Sequence, residues 1–288
     1  MNRDVGFVEF KNGDQLLTAK QLIENQLKKI NQPIDSVSKD QWAFYCNDKL
    51  VSEWSKKIRP RSKLLIVSKK KKPLPIEIVY EDDGILVVNK PQNLPTQPTL
   101  KDFEDNLFER VRYHFIHQKN FPVGLPYVGL HHRLDRGTSG LVLMTKQRSA
   151  NKEVSELFKG RKIKKTYRAR TEIGEIPPEK RWRQVDNIRR GSAKKMKFFF
   201  EVAQEGDEAI TEFQLLSTSK EFHEFHCFPK TGRTHQLRVQ LSHKGYPILG
   251  DRVYGSKNSG KSLMLHAEKL QFSFRKKQIE VSVDPHWQ

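Results

Sequence analysis

Gly129–Lys146 reads GLHHRLDRGTSGLVLMTK and carries the most informative pattern in the chain. Its last part, LVLMTK, is an apolar run with the length and composition of a buried β-strand. The first part places one carboxylate, Asp135, between Arg133 and Arg136, on a turn marked by Gly137. A carboxylate on such a turn at a strand entrance can project into a cleft, where nearby arginines favour its ionised form. The pattern predicts either a functional Asp135 or an aspartate that caps a turn and pairs with arginine.

Apolar and alternating segments on both sides of this stretch are typical of strands. They are Ile76–Pro91, Lys165–Ile173, Ile210–Thr218, Phe222–Phe228 and Leu263–Phe274. The helical patterns are fewer, Ser149–Gly160 and His235–Gly245, and each is ended by a glycine. Because strands outnumber helices without strict alternation, we expect an α+β fold with a mixed, largely antiparallel central sheet. The polar segment 175–197 is expected to be an exposed insertion or loop.

The run KKKKPLPIE, Lys69–Glu77, combines like charge with two prolines and is typical of a linker. Before it, residues 14–31 have a helical pattern, Trp42–Val51 predicts a hairpin, and Lys63–Val67 predicts a further strand. The sequence therefore predicts a small N-terminal α/β domain over 1–70, a linker over 71–75 and a larger domain over 76–288.

Basic residues are in large excess. The 288 residues include 53 Lys and Arg against 34 Asp and Glu, a net charge of +19. Residues 56–72 hold nine basic side chains and no acid, and residues 161–197 hold fourteen basic and four acidic ones. Two such blocks predict a polyanionic partner, first of all nucleic acid, with binding that weakens steeply with salt. An anionic membrane surface is the alternative, and a single lysine can also be solvated surface.

Several other classes of protein are disfavoured. The chain has no run of about 18 apolar residues, so no segment is expected to span a bilayer. The N-terminal residues lack the apolar core of a signal peptide, and the two cysteines, Cys46 and Cys227, are far apart. We therefore expect a cytoplasmic protein without a structural zinc. Ten histidines are present, but no His-Glu-x-x-His motif occurs, and no catalytic metal is expected.

Two further segments carry candidate functional side chains. Arg233 lies in FPKTGRTHQLRVQL, Phe228–Leu241, where its guanidinium precedes a short helix and could bind a carboxylate or phosphate. Tyr167 lies in KIKKTYRAR, Lys162–Arg170, and an aromatic ring among cations is typical of stacking on a flipped base. A surface arginine and a half-buried strand tyrosine are the structural alternatives.

HRLDRGTSG, His132–Gly140, closely resembles the signature of the RluA-type pseudouridine synthases. Further segments resemble the same family in the same order: Ile78–Pro91, Lys164–Arg170, Lys230–Leu241, Tyr246–Gly255 and Leu263–Phe272. The resemblance implies the pseudouridine synthase fold and the isomerisation of a uridine in structured RNA. In that reaction the glycosidic bond is cut, the base rotates and it is rejoined through its carbon-5, without an external cofactor or metal.

The resemblance also implies roles for the candidate residues. Asp135 matches the essential aspartate, which acts at the ribose as nucleophile or base. Tyr167 matches the tyrosine that packs against the target base, and Arg233 matches the arginine that pairs with the aspartate. Contacts with RNA are expected from Arg133, Arg136, Lys164, Lys165, Arg168, Lys194, Lys195, Lys69 and Lys70.

The N-terminal part is less similar to known domains. Gln21–Val67 loosely resembles the S-four-like RNA-binding domain, and Phe44–Val67 fits the closing hairpin of that domain. An appended domain of this kind favours ribosomal RNA as the substrate, with transfer RNA next. In the catalytic part, Asn93 stands where the family commonly has glycine, and asparagine tolerates the positive φ of such a turn.

Alternatives from other classes make distinct demands on the sequence. A non-catalytic RNA-binding or ribosome-assembly factor could keep the same fold, and it would not need Asp135, Tyr167 and Arg233 together. A metal-dependent nuclease would need a carboxylate or histidine cluster, which the sequence does not show. We expect a monomer without an obligate protein partner.

Overall fold

The computed structural model describes residues 7–29, 42–47, 49–68, 75–98, 105–117, 127–177, 179–191, 199–256 and 262–287. The chain divides into two compact units. Unit 1 comprises residues 1–75 and 100–127, and unit 2 comprises residues 76–99 and 128–288. The first boundary coincides with the predicted linker, whereas residues 100–127 group with unit 1 and not with the larger domain. The composition of residues 100–127 gave no indication that they would group with unit 1.

Unit 1 is a small α/β unit. Its elements are β1 (Phe7–Lys11), β2 (Leu17–Thr18), α1 (Ala19–Lys29), β3 (Trp42–Cys46), β4 (Lys49–Leu50), β5 (Lys57–Ile58), β6 (Lys63–Ser68) and α2 (Leu107–His117). Four strands form one sheet in the order β1-β6-β3-β4, and β2 pairs with β5. The apolar face of α1, with Ile23 and Leu27, packs in one core with Phe44 and Ile66. The predicted helix, hairpin and strand of this part are confirmed.

Unit 2 is built on an eleven-stranded sheet. Its elements are β7 (Glu77–Glu81), β8 (Ile85–Lys90), β9 (Gly129–Leu130), β10 (Ser139–Thr145), a 3-10 turn (Arg148–Ala150), α3 (Asn151–Lys159), β11 (Lys164–Glu172), β12 (Arg181–Arg190), β13 (Phe200–Ala203), β14 (Asp207–Thr218), β15 (Phe222–Pro229), α4 (Gln236–His243), β16 (Leu265–Phe274) and β17 (Lys277–Ser282). The strand order is β13-β12-β14-β15-β11-β16-β10-β8-β7, with β17 beside β16 and β9 beside β10. Among the described pairs of this sheet, β10 with β16 is parallel and the others are antiparallel. The predicted α+β fold with a mixed, largely antiparallel sheet is confirmed.

The parallel pair positions the loop that carries Asp135. Ser139 and Gly140, which begin β10, lie opposite His266 and Ala267 of β16. Gly140 has a φ of 111°, and a Cβ at this position would lie 2.3 Å from the carbonyl oxygen of Ala267. Only glycine allows the two strands to approach this closely. The Asp135 loop therefore enters the sheet at its central strands.

The expectation of a loop over residues 175–197 was wrong for Arg181–Arg190, which forms β12 and pairs with β14. The apolar alternation of this strand is weak because Gln184 and Asp186 occupy positions beneath α4. Their polar groups are satisfied inside the protein: Gln184 Nε2 and Gln240 Nε2 donate to Asp186 Oδ2 at 2.8 Å and 2.9 Å. Because these polar residues interrupt the apolar alternation, the sequence pattern did not predict β12 as a strand.

Two apolar clusters hold the helices of unit 2 on the sheet. Val154 and Leu157 of α3 belong to a cluster with β8, β10, β16 and β17. Leu237 and Leu241 of α4 belong to a second cluster with β11, β14 and β15. This packing fixes α4 beside the Asp135 loop. In the described stretches, no helix is long and apolar enough to cross a membrane.

Candidate active site

Asp135 lies in the loop between β9 and β10, and hydrogen bonds hold the residues on both sides of it. Thr96 Oγ1 donates to the carbonyl of Leu134 at 2.8 Å and accepts from its N–H at 3.1 Å. Lys90 Nζ, from the end of β8, donates to the carbonyl of Arg136 at 3.2 Å. The main chain that carries the Asp135 carboxylate is therefore held in place on either side.

Lys90 was not among the sequence-based candidates. It is completely buried, and its ammonium group also donates to the carbonyls of Pro91 at 3.0 Å and Leu94 at 2.8 Å. Burial lowers the pKa of Lys90 to about 7, while the negative charge of Asp135 opposes this shift. The carbonyl groups that accept its hydrogen bonds favour the charged ammonium form. Lys90 therefore stabilises the conformation of the Asp135 loop from inside the protein.

Arg238 of α4 binds two carboxylates at once. Its Nη1 donates to Asp135 Oδ2 at 3.2 Å, and its Nε and Nη2 donate to Asp251 Oδ2 and Oδ1 at 2.7 Å and 2.9 Å. Although burial alone would lower the pKa of Arg238, the bonds to Asp251 and the charge of Asp135 raise it above the ordinary value. The bidentate pair with Asp251 fixes the guanidinium plane, and the remaining nitrogen faces Asp135.

Arg233 does not make the ion pair with Asp135 that the resemblance implied, and that prediction was wrong. Its Nε donates to the carbonyl of Glu208 at 3.0 Å, and its Nη1 lies 3.6 Å from Asp207 Oδ1. Arg238, from the same GRTHQLR motif, takes the place beside Asp135. The spacing within the motif could not decide between the two arginines, because the choice depends on how α4 docks on the sheet.

The two carboxylate oxygens of Asp135 have different surroundings. Oδ2 faces Arg238 Nη1 at 3.2 Å and His235 Nε2 at 3.7 Å. Oδ1 accepts no hydrogen bond from any residue that the structure describes. The Asp135 side chain is 26% exposed. The carboxylate is therefore anchored through Oδ2, and the side chain is partly open to solvent.

Tyr167 lies on β11, opposite Cys227 of β15 and Ala267 of β16. It packs against the apolar cluster under α4. Burial raises the pKa of Tyr167, and the negative charge of Asp135 raises it further. The phenol therefore stays protonated at neutral pH, which suits a packing surface or hydrogen-bond donor better than a base.

The predicted RNA-contacting cations of unit 2 fall into two groups. Arg133, Arg136 and Lys164 are exposed. Lys165 is half-buried, its Nζ donates to the carbonyl of Thr231 at 3.3 Å, and burial lowers its pKa to about 8. Contact with RNA stays a prediction for all of these side chains, and the exposed ones are better placed for it.

Other predicted contacts are engaged within the fold or are not described. The guanidinium of Arg168 forms ion pairs with Glu268 and Asp284, so it serves the structure of the sheet. Arg136, although exposed, also donates through Nε to the carbonyl of Asn93 at 3.1 Å. Asn93 has a φ of 62°, as expected for an asparagine in the glycine position of this turn. The remaining predicted contacts, Lys69, Lys70, Lys194 and Lys195, lie outside the described residues.

The paired histidines before Asp135 serve the fold. His131 Nδ1 lies 3.1 Å from Ser155 Oγ, and His132 Nε2 accepts the main-chain N–H of Leu143 at 2.8 Å. Burial lowers the pKa of His132 to about 3. Within the described part of the chain, no group of three His, Cys, Asp or Glu side chains is arranged to hold a metal ion.

The sequence matches a known protein family over most of the region that carries this site. The family model of the RNA pseudouridylate synthases matches residues 84–243, more than half of the chain. The chain belongs to the RNA pseudouridylate synthase family. The matched region contains Asp135, Tyr167 and Arg238, whereas Asp251 lies beyond it.

Relatives in this family come from several bacteria. The ribosomal large subunit pseudouridine synthase D of Borreliella burgdorferi is 33% identical over 207 residues, 70% of this chain and 63% of that protein. The protein of the same name from Zymomonas mobilis is 30% identical over 198 residues, 69% of this chain and 62% of that protein. An uncharacterized RNA pseudouridine synthase of Aquifex aeolicus is 32% identical over 225 residues, 75% and 69% of the two chains. The chain thus spans less than two thirds of the first two relatives.

Solved structures of the family share the fold. Human RNA Pseudouridylate Synthase Domain Containing 1 superposes with a TM-score of 0.62 at 25% identity, over 75% of this chain and 86% of that chain. Human RNA Pseudouridylate Synthase Domain Containing 4 superposes with a TM-score of 0.56 at 24% identity, over 73% of this chain and 89% of that chain. These similarities confirm the predicted pseudouridine synthase fold.

Sequence reasoning missed Arg238, Asp251 and His235 as individual site residues. Arg238 and His235 lie in the quoted GRTHQLR motif, and Asp251 lies in the quoted YPILGDRVYG segment. The resemblance therefore marked the right segments. One signal could have suggested that Asp251 pairs with Arg238. The two residues have opposite charges, and each lies in a segment that resembles the same family.

Proposed function

We propose that this protein isomerises uridine to pseudouridine in structured RNA, with Asp135 as the catalytic residue. The observation that carries the proposal is the Asp135 carboxylate, which Arg238 holds through Oδ2 while the side chain remains partly exposed. Membership of the RNA pseudouridylate synthase family supports it. A non-catalytic RNA-binding or ribosome-assembly factor would have no use for a partly exposed carboxylate that an arginine holds in place.

The proposed reaction balances without a cofactor. The bond between uracil N1 and ribose C1′ breaks, and a bond between uracil C5 and C1′ forms. One proton leaves C5, and N1 gains one. Asp135 acts at the ribose, either as nucleophile or as base, and Arg238 orients its carboxylate. Tyr167 supplies an aromatic surface for the base, which must leave its stack to reach the carboxylate.

We propose ribosomal RNA as the substrate and transfer RNA as the second candidate. The names of the Borreliella and Zymomonas relatives refer to the large ribosomal subunit. In unit 2, the exposed cations Arg133, Lys164 and Arg183 would bind the RNA backbone. In unit 1, residues 1–70 would act as an RNA-binding appendage.

The catalytic assignment is tested with Asp135→Asn, which removes the charge and keeps the size of the side chain. With RNA that carries tritium at C5 of uridine, the wild-type protein is expected to release tritium and the variant is not. Binding of the same RNA should remain near the wild-type level. The matched control is Asp207→Asn, at a side chain that is 70% exposed, and it should keep its turnover. Turnover by Asp135→Asn would contradict the assignment.

The substrate is tested by mapping pseudouridine in total RNA from cells with and without the gene. Loss of specific sites from ribosomal RNA is the expected result. If pseudouridine sites were lost from transfer RNA alone, transfer RNA and not ribosomal RNA would be the substrate.

A further inference from the structure

His235 adopts a strained backbone conformation directly before α4. Its φ is 57° and its ψ is 17°, in the left-handed region that is unfavourable for a residue with a Cβ. Such a conformation persists when the surroundings over-determine it, and it is often found at functional sites. Here the rings of Phe200 and Tyr254 pack edge-on against the imidazole, each with its centroid 5.6 Å away.

The hydrogen bonds around Tyr254 favour one of the two neutral tautomers of His235. The hydroxyl oxygen of Tyr254 accepts the main-chain N–H of Phe200 at 2.9 Å and lies 2.8 Å from His235 Nδ1. If the hydroxyl group donates its own proton to Nδ1, it uses its donor as well as its acceptor capacity. A neutral imidazole that accepts at Nδ1 carries its proton on Nε2. Burial lowers the pKa of His235, in keeping with the neutral form.

In that tautomer, the nitrogen that carries the proton, Nε2, faces the carboxylate of Asp135. It lies 3.7 Å from Asp135 Oδ2, the same oxygen that Arg238 contacts. Such contacts in a ligand-free active site are often long and shorten when substrate binds. The remaining charged group near the imidazole is Asp251, which is paired with Arg238.

Tyr254 supports both groups that contact Asp135. Its ring lies under the guanidinium of Arg238, with the Arg238 Cζ 5.0 Å from the ring centroid. Its main-chain N–H donates to Asp251 Oδ1 at 3.2 Å. A single side chain therefore positions the imidazole through its hydroxyl group and the guanidinium through its ring.

We propose that His235 is a positioning residue for Asp135 and that Tyr254 sets the imidazole tautomer that this task requires. Donors from His235 and Arg238 converge on Oδ2 and direct Oδ1 toward the ribose. The proposal rests on the proposed role of Asp135 and adds a requirement for a hydrogen-bond donor at the Nε2 position.

Two substitutions of His235 separate this role from a structural one. His235→Asn suits the left-handed backbone and can still contact Tyr254, but its short side chain cannot reach Asp135. His235→Gln can place an amide N–H near the Nε2 position. We expect His235→Asn to lower the single-turnover rate on saturating RNA by about tenfold or more, the effect of losing a hydrogen bond to a charged group. His235→Gln should restore a substantial part of that rate. RNA affinity should stay unchanged in both variants.

Tyr254→Phe tests the tautomer, because it removes the hydroxyl group and keeps the ring under Arg238. We expect a several-fold loss of the single-turnover rate with an unchanged dissociation constant for RNA. The matched control is Tyr80→Phe on β7. It removes a hydroxyl group that donates to Asp82 Oδ2 at 3.0 Å. This control should leave the rate unchanged.

The outcomes are distinct from those that test the proposed function. Equal rates for His235→Asn and His235→Gln would overturn the positioning role, since the loss would then not depend on a donor at Nε2. A wild-type rate for Tyr254→Phe would overturn the role of Tyr254. Turnover by Asp135→Asn would instead remove the catalytic assignment on which this proposal depends.

Discussion

Arg238 joins Asp135 to Asp251. The distance from its Nη1 to Asp135 Oδ2 is 3.2 Å, and the distance from its Nε to Asp251 Oδ2 is 2.7 Å. Asp251 is buried and has no exposed side-chain surface, whereas Asp135 is partly open. The buried carboxylate therefore fixes the guanidinium, and the guanidinium in turn orients the carboxylate that is accessible to a ligand.

We expect Arg238→Gln to lower the single-turnover rate on bound RNA by about 100-fold or more, since misplacing a catalytic group by about 1 Å can have that effect. The matched variant is Arg233→Gln in the same motif. Its exposed ion pair with Asp207 is worth about 1 kcal/mol or less, so the rate should change by less than about fivefold. Rapid-quench measurements on saturating RNA compare the two, and equal losses would contradict the role of Arg238.

Asp251→Asn is expected to destabilise the fold. Removing one partner of a buried ion pair costs about 3–5 kcal/mol, because the other charge stays buried without its partner. Urea unfolding followed by circular dichroism gives the change in the free energy of unfolding. Asp284→Asn is the control, because that aspartate pairs with Arg168 but is 84% exposed, and its substitution should change stability by about 0.5 kcal/mol or less. Similar values for both variants would argue against a buried anchor at Asp251.

The stability of the protein should fall as the pH drops below 6.5, and His132 should contribute to this loss. Burial holds the pKa of His132 at about 3 in the fold, whereas in the unfolded chain it is near the ordinary 6.5. The unfolded state then binds a proton that the folded state does not, so the free energy of unfolding decreases as the pH falls. We expect His132 to account for about 1–2 kcal/mol between pH 7 and pH 5.

The contribution of His132 is isolated by comparison with His132→Asn. Urea unfolding at pH 7, 6 and 5 should give a flatter pH dependence for the variant, even if its stability at pH 7 is lower. Glu212 and Glu268 have pKa values below their ordinary 4.5, so they do not interfere in this window. Parallel curves for the two proteins would show that His132 is not held neutral.

The salt dependence of RNA binding should distinguish two arginines of β12. Arg183 is exposed and makes no ion pair with the described residues, whereas Arg189 lies 3.0 Å from Glu201. We expect Arg183→Gln to reduce the slope of log K against log salt by about 0.7–0.9, the value for one phosphate contact. Arg189→Gln should change the slope less, because Glu201 already neutralises that charge. Equal slopes for the wild type and Arg183→Gln would show that Arg183 does not contact an RNA phosphate.

The local pattern of the sequence determined most of the elements in unit 2. The strands β8, β10, β11 and β16 and the helices α3 and α4 were each expected from apolar runs, alternation or a terminal glycine. These features depend on neighbours within a few residues, and such neighbours can be read directly from the chain. The pattern around Asp135 left open whether this aspartate is functional or caps a turn, and the family resemblance favoured the functional role.

Tertiary structure alone decided which side chains meet Asp135. Arg238 and Arg233 share one motif, but the docking of α4 on the sheet brings only Arg238 to the carboxylate. The same docking places Gln184 and Asp186 beneath the helix, where Asp186 accepts hydrogen bonds from Gln184 and Gln240. These polar residues break the apolar alternation by which β12 could have been predicted. These contacts join residues that are distant in sequence, and their geometry follows from the packing of whole elements, which the spacing of residues along the chain does not determine.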